Sequence, residues 1–126
     1  MTKTAIHTDQ APAPAARYSQ AVRKGNLLQV AGQVPIDPVT GQIVGDTVGV
    51  QTRQVFANLN AILAAAGSSL DDVIMLRVYL TTAEHFAPMN EVYAEYVTDP
   101  FPARTTVYVG LAPNLLVEID ALAVLS

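Results

Sequence analysis

The sequence contains no cysteine, which removes disulfides, thiolate nucleophiles, iron–sulfur ligation and cysteine-based zinc sites together. Charge is scarce as well: Asp, Glu, Lys and Arg make up 14% of the 126 residues, against about 25% in ordinary soluble domains. A surface so poor in charge suits a subunit interface. Basic residues are the scarcer sign, seven against eleven acidic, for a net charge of −4 and a pI near 4.8. No basic field therefore exists to attract nucleic acid or anionic lipid. Long apolar runs are missing too. The richest, 115–125, is broken by Glu118 and Asp120, well short of the roughly 18 residues that span a bilayer. The N-terminal stretch carries Lys3, His7, Asp9, Pro12 and Pro14 where an export signal needs an apolar block. The expectation is a cytoplasmic protein without a membrane partner.

Hydrophobic residues make up 51% of the chain, enough for one domain over 1–126 with a single core. Residues 1–17 lack periodicity and read as an N-terminal arm, with the ordered domain beginning near Tyr18. Around Lys24-Gly25-Asn26, segments 18–23 and 27–33 read as a hairpin. Pro35, Asp37, Pro38, Thr40 and Gly41 then mark an exposed loop. From Thr47 the period changes. Val48, Thr52, Val55, Leu59, Ile62 and Ala66 recur at steps of 4, 3, 4, 3 and 4, the stripe of an amphipathic helix closed by Gly67. Its other side, with Gln51, Arg53, Gln54, Asn58 and Asn60, reads as polar. A Ser69-x-x-Asp72 turn leads into a central strand at 73–81, and a second helix spans about His85 to Val97. Strands at 104–109 and 115–125 complete the order ββ-α-β-α-ββ. Two helices on one face of a mixed sheet make an α+β layer. The other face, left uncovered, predicts burial against further subunits in a closed homo-oligomer.

The familiar catalytic spacings are missing. His7 and His85 belong to no metal-binding spacing, so no metal site is expected. No serine sits in a Gly-x-Ser-x-Gly elbow, and Gly41, Gly45 and Gly49 lack the Lys-Ser/Thr ending of a phosphate loop. The last quarter of the chain holds the charges that need explaining. Along the final strand Leu116, Glu118, Asp120, Leu122 and Val124 share one face, opposite Val117, Ile119, Ala121 and Ala123. Glu118 thus interrupts an apolar row, and if that row faces a subunit boundary, Arg104 at the start of the neighbouring strand is its candidate partner. Such a pair serves equally as a structural ion pair, worth about 0–1 kcal/mol if exposed, or as chemistry. Arg77 reads as structural, paired across the sheet with Glu118 or Asp120.

These residues resemble the RidA, or YjgF-type, enamine/imine deaminases over nearly the whole chain from Tyr18 onward. The likeness rests on Tyr18-Ser19-Gln20-Ala21, Ala31-Gly32-Gln33-Val34-Pro35, Asn90-Glu91-Val92-Tyr93, Phe101-Pro102-Ala103-Arg104 and Val117-Glu118-Ile119-Asp120-Ala121. It implies a chorismate-mutase-like α+β subunit, assembled as a homotrimer whose three sheets form a central barrel, with active sites in the clefts between subunits. It also implies hydrolysis of 2-imino acids such as 2-iminobutanoate and 2-iminopropanoate to 2-oxo acids and ammonia, without a cofactor. Arg104 would grip the substrate carboxylate and Glu118 would relay the proton of the attacking water. Tyr18, Gly32, Asn90 and the Thr106 backbone would line the pocket, Tyr18 coming from the adjacent subunit. Three positions depart from the family pattern: Ala31 where serine is frequent, Thr106 where cysteine is common, and Arg17 where proline is usual. The second cation at Arg17 is a solvated arm residue or a contact for a larger acidic substrate.

A noncatalytic protein that uses Arg104 to bind a 2-oxo acid or amino acid is the alternative expectation. Family members have also been labelled endoribonucleases, but the net charge argues against RNA as a partner.

Overall fold

The structure, a computed structural model, describes residues 2–126. Six strands, β1 (Thr4–Ile6), β2 (Ala21–Lys24), β3 (Leu27–Gln33), β4 (Val73–Leu80), β5 (Ala103–Tyr108) and β6 (Val117–Val124), form one sheet in the order β1-β2-β3-β6-β4-β5. Two helices, α1 (Val48–Ala65) and α2 (Phe86–Tyr93), complete the α+β architecture. The β2–β3 hairpin turns through two residues, with Gly25 at a φ of 62°, a left-handed conformation that glycine adopts without strain. Helix α2 carries the chain between β4 and β5, and these two strands are parallel while every other pairing is antiparallel. The last strand, β6, enters between β3 and β4.

Strand alternation divides the sheet into two unlike faces. On one, Leu28, Val30, Leu76, Val78, Leu80, Val117, Ile119, Ala121 and Ala123 are wholly buried against Val55, Phe56, Leu59, Ile62 and Leu63 of α1 and Met89 of α2. Each large aliphatic side chain there contributes about 1.5–3 kcal/mol of burial. On the other face no element among the described residues covers the sheet, and Leu27 is 51% and Val107 38% exposed. The face is uncovered, as the sequence predicts, but it mixes Leu27 and Val107 with Arg77, Tyr79, Glu118 and Asp120.

The structure differs from the sequence expectation in five places. The segment read as an arm carries β1, which pairs with β2 from Thr4↔Arg23 to Ile6↔Ala21. Gln20 holds the return: its Nε2 donates to the carbonyls of Thr8, Ala11 and Pro12, and its Oε1 accepts from Thr8 N. Periodicity cannot reveal a strand only three residues long. On α1, Gln51 and Asn58 are buried rather than solvated. Asn58 Nδ2 donates to the carbonyls of Val34 and Ile36, and Gln51 bonds Gly45 O, Asn114 O and Leu116 N. The two amides thus satisfy loop backbone, a demand that helical spacing does not show. Helix α2 stops at Tyr93, because the chain then tightens through i→i−3 bonds from Glu95 and Tyr96 and stacks Tyr96 on Phe56 with centroids 4.4 Å apart. The strand read as central, β4, lies one in from the edge. Finally, β5 and β6 are not neighbours.

Candidate active site

Arg104 is the second residue of β5, in register with the buried Leu76, so its side chain turns to the helix side of the sheet. There the guanidinium lies on two rings, 4.7 Å from the Tyr93 centroid and 5.5 Å from that of Phe86. Its Nη1 donates to Asn90 Oδ1 at 2.6 Å. Phe86, Asn90 and Tyr93 stand at i, i+4 and i+7 on α2, so one helical face supplies the whole support. Among the described residues no carboxylate pairs with Arg104. The guanidinium therefore keeps donors for a bidentate grip on an incoming carboxylate. Burial pushes the Tyr93 phenol above its ordinary pKa, against the opposing pull of the Arg104 charge. Two residues along the same side of β5, Thr106 buries its hydroxyl without a hydrogen-bond partner among the described residues.

Glu118 stands on the other face. It lies between the buried Val117 and Ile119 and shares its side of β6 with Asp120. Half-buried, it is pushed above the usual carboxylate range first by desolvation and then by the Asp120 charge. Gly32 of β3 makes room for it: a Cβ there would overlap Glu118 Oε2 and lie 2.9 Å from the carboxyl carbon. This glycine is required by close approach rather than by its backbone angles. Asp120 accepts from Arg77 Nε at 2.8 Å and from the Tyr79 hydroxyl at 2.9 Å, which is the cross-strand role expected for Arg77. Glu118 has no such donor among the described residues.

The Arg104–Glu118 ion pair considered from the sequence is not formed within the chain. Strand β4 separates β5 from β6, and the two side chains stand on opposite faces. A third location holds Tyr18, which is 53% exposed and accepts a bond from Ala15 N through its hydroxyl. It lines a cleft of about 450 Å³ beside β1, β2 and β3, together with Lys3, Arg17, Gln29 and Ala31. The structure thus gathers Arg104, Asn90 and Thr106 at one place, Gly32 and Glu118 at another, and Tyr18 at a third.

Sequence reasoning did not identify the aromatic shelf under Arg104. Its signal was present in the 86, 90, 93 spacing of the second helix. The Tyr79–Asp120 bond was also missed. It could have been found only by knowing that β4 pairs with β6. Among the described residues no three His, Asp or Glu side chains cluster as a metal site would require.

The family model described as Endoribonuclease L-PSP matches residues 8–125. The chain belongs to the YjgF/RidA family. It is 53% identical, over 96% of its length and 97% of the relative's, to a RutC family protein of Pyrococcus horikoshii. The chloroplastic Reactive Intermediate Deaminase A of Arabidopsis thaliana is 37% identical over 98% of the chain and 66% of that protein. Among solved structures of the family, TdcF of E. coli with bound serine superposes with a TM-score of 0.91 at 37% identity, covering 98% and 99% of the two chains.

Proposed function

We propose that this protein hydrolyses 2-imino acids, such as 2-iminobutanoate and 2-iminopropanoate, to 2-oxo acids and ammonia in clefts between the subunits of a homotrimer. The observation that carries this reading is the Arg104 guanidinium, oriented by Asn90 and the Tyr93 and Phe86 rings yet without a carboxylate partner among the described residues. Family membership supports the general activity, as does the name of the Arabidopsis relative. The serine bound to TdcF supports a small ligand bearing a carboxylate. A net charge of −4 argues against RNA as the substrate.

Because Arg104 and Glu118 lie on opposite faces, a complete site needs Arg104 of one chain and Glu118 or Tyr18 of another. Arg104 holds the substrate carboxylate and fixes the position of C2. Water then adds to C2 of the C=N bond while Glu118 takes its proton, a role suited to a carboxylate whose pKa is raised toward neutrality. The proton passes to nitrogen and gives the carbinolamine; Glu118 then takes the hydroxyl proton and delivers it to nitrogen as the C–N bond breaks and the C2=O bond forms, and the 2-oxo acid and ammonia leave. Imine and water balance oxo acid and ammonia, so the reaction uses no cofactor.

The test follows 2-iminobutanoate, generated in situ by a dehydratase, with semicarbazide competing for the imine. Wild type lowers semicarbazone formation and Arg104→Ala does not. If both leave it unchanged, the hydrolysis is wrong, and binding of a 2-oxo or amino acid without turnover replaces it.

A further inference from the structure

The cleft beside Tyr18 has an electrostatic character that the rest of the chain lacks. Both of its charged lining residues, Lys3 and Arg17, are cations, and no acidic residue lines it, although the chain as a whole carries −4. Among the described residues neither cation enters an ion pair, whereas Arg53 and Arg77 are paired to Glu95 and Asp120. The placement follows from the fold. Lys3 precedes β1 by one residue and so shares the side of Ala5, whose register partner Val22 pairs in turn with Gln29. Arg17 is held in a turn where Tyr18 N donates to Ala16 O and Ala15 N to the Tyr18 hydroxyl. Gln20 fixes the intervening chain through its bonds to Thr8, Ala11 and Pro12. Ala31 leaves the wall open where a larger side chain would narrow it, and in the single chain the cleft opens to one side with a volume of about 450 Å³.

We infer that this cleft receives a second carboxylate, so that the preferred substrates are dicarboxylic 2-imino acids, with Lys3 and Arg17 as the specificity-determining cations. The inference rests on the function proposed above and adds to it that Tyr18 and its cleft face the Arg104 of a neighbouring subunit. Arg104 takes the carboxylate next to C2, and the cationic cleft takes the one on the side chain. Lys3 and Arg17 are exposed in the single chain, so they stay hydrated when the substrate ends in a methyl group and gain a charge-assisted pair when it ends in a carboxylate.

The experiment compares five-carbon ligands that differ only in the terminal carboxylate. 2-Iminoglutarate and 2-iminopentanoate are generated by amino-acid oxidases and followed by semicarbazide competition, while 2-oxoglutarate and 2-oxopentanoate are titrated by calorimetry. Wild type is expected to favour the dianion about tenfold in kcat/KM and in Kd, and Lys3→Gln/Arg17→Gln is expected to abolish that ratio. Equal affinity for both oxo acids in wild type overturns the inference, as does a ratio that survives in the double variant. If wild type hydrolyses neither imine, the deaminase reading fails and the calorimetric ratio alone decides the cleft.

Discussion

Arg104 and Glu118 lie on opposite faces of one sheet, Arg104 stacked on Tyr93 of α2 and Glu118 packed over Gly32 of β3. Each is in place before any ligand arrives, and neither has neutralised the other. An arginine already paired to Glu118 would be a poor receptor for a carboxylate, and a glutamate paired to Arg104 would have a lowered pKa and be a poor base. In the function proposed above, their separation leaves both groups available until subunits meet.

Glu118→Gln tests the burial of that carboxyl. A pKa raised above the unfolded value of 4.5 means that the folded state holds the proton more tightly. The associated stability is complete below pH 4.5 and is lost as pH rises through the folded pKa. Replacement by the neutral amide removes this loss. The variant should lose imine hydrolysis yet melt higher than wild type at neutral pH, with the gap closing toward pH 4. Melting curves by circular dichroism from pH 4 to 8 decide it: a gap independent of pH would show that ionised Glu118 is not destabilising.

Gly32→Ala separates catalysis from folding. The added methyl overlaps the Glu118 carboxyl, which is the free end of a side chain and can move aside. The stability cost should therefore stay at or below the roughly 1–3 kcal/mol of ordinary overpacking, while displacement of Glu118 lowers kcat about a hundredfold. Unchanged turnover in a folded variant would remove Glu118 from the mechanism.

Arg104→Lys keeps the charge and discards the planar fork that bridges Asn90 and the rings. Turnover should fall about a hundredfold with the melting temperature little changed. Asn90→Asp acts differently, because a carboxylate 2.6 Å from Nη1 would compete with the substrate for the same cation. KM should rise about tenfold while kcat changes less. Steady-state kinetics of the two variants distinguishes these effects, and an unchanged KM in Asn90→Asp would show that Arg104 does not hold the substrate.

Asn58→Leu measures a buried amide. The substitution strands the carbonyls of Val34 and Ile36 and the Gln54 side chain, and the expected loss is about 2–4 kcal/mol. Arg53→Ala removes a bidentate pair to Glu95 that is half exposed on both sides, and should change stability far less. Urea denaturation gives both numbers. A reversed order would mean that the loop over 34–47 does not depend on Asn58.

Much of this architecture is legible in local pattern. The Gly25-Asn26 turn, the stripe from Val48 to Ile62 and the alternation from Val117 to Ala123 each follow from backbone geometry and burial, which act within a few residues. They are enough to specify the hairpin, the two helices and the later strands, and a sheet face left without cover, though not β1, the end of α2 or the buried amides of α1. The site residues were legible only as motifs resembling a family. Their relation was not, because it depends on β6 entering between β3 and β4, a long-range pairing with no local signature. That insertion keeps Arg104 and Glu118 apart and brings Tyr79 to Asp120, whereas Asp120 was already one of the two partners expected for Arg77. The burial of Gln51 and Asn58 has the same origin, since loops distant in sequence supply the groups they satisfy. Periodicity tells which side chains leave water, whereas the packing of the whole chain determines what they meet when they do.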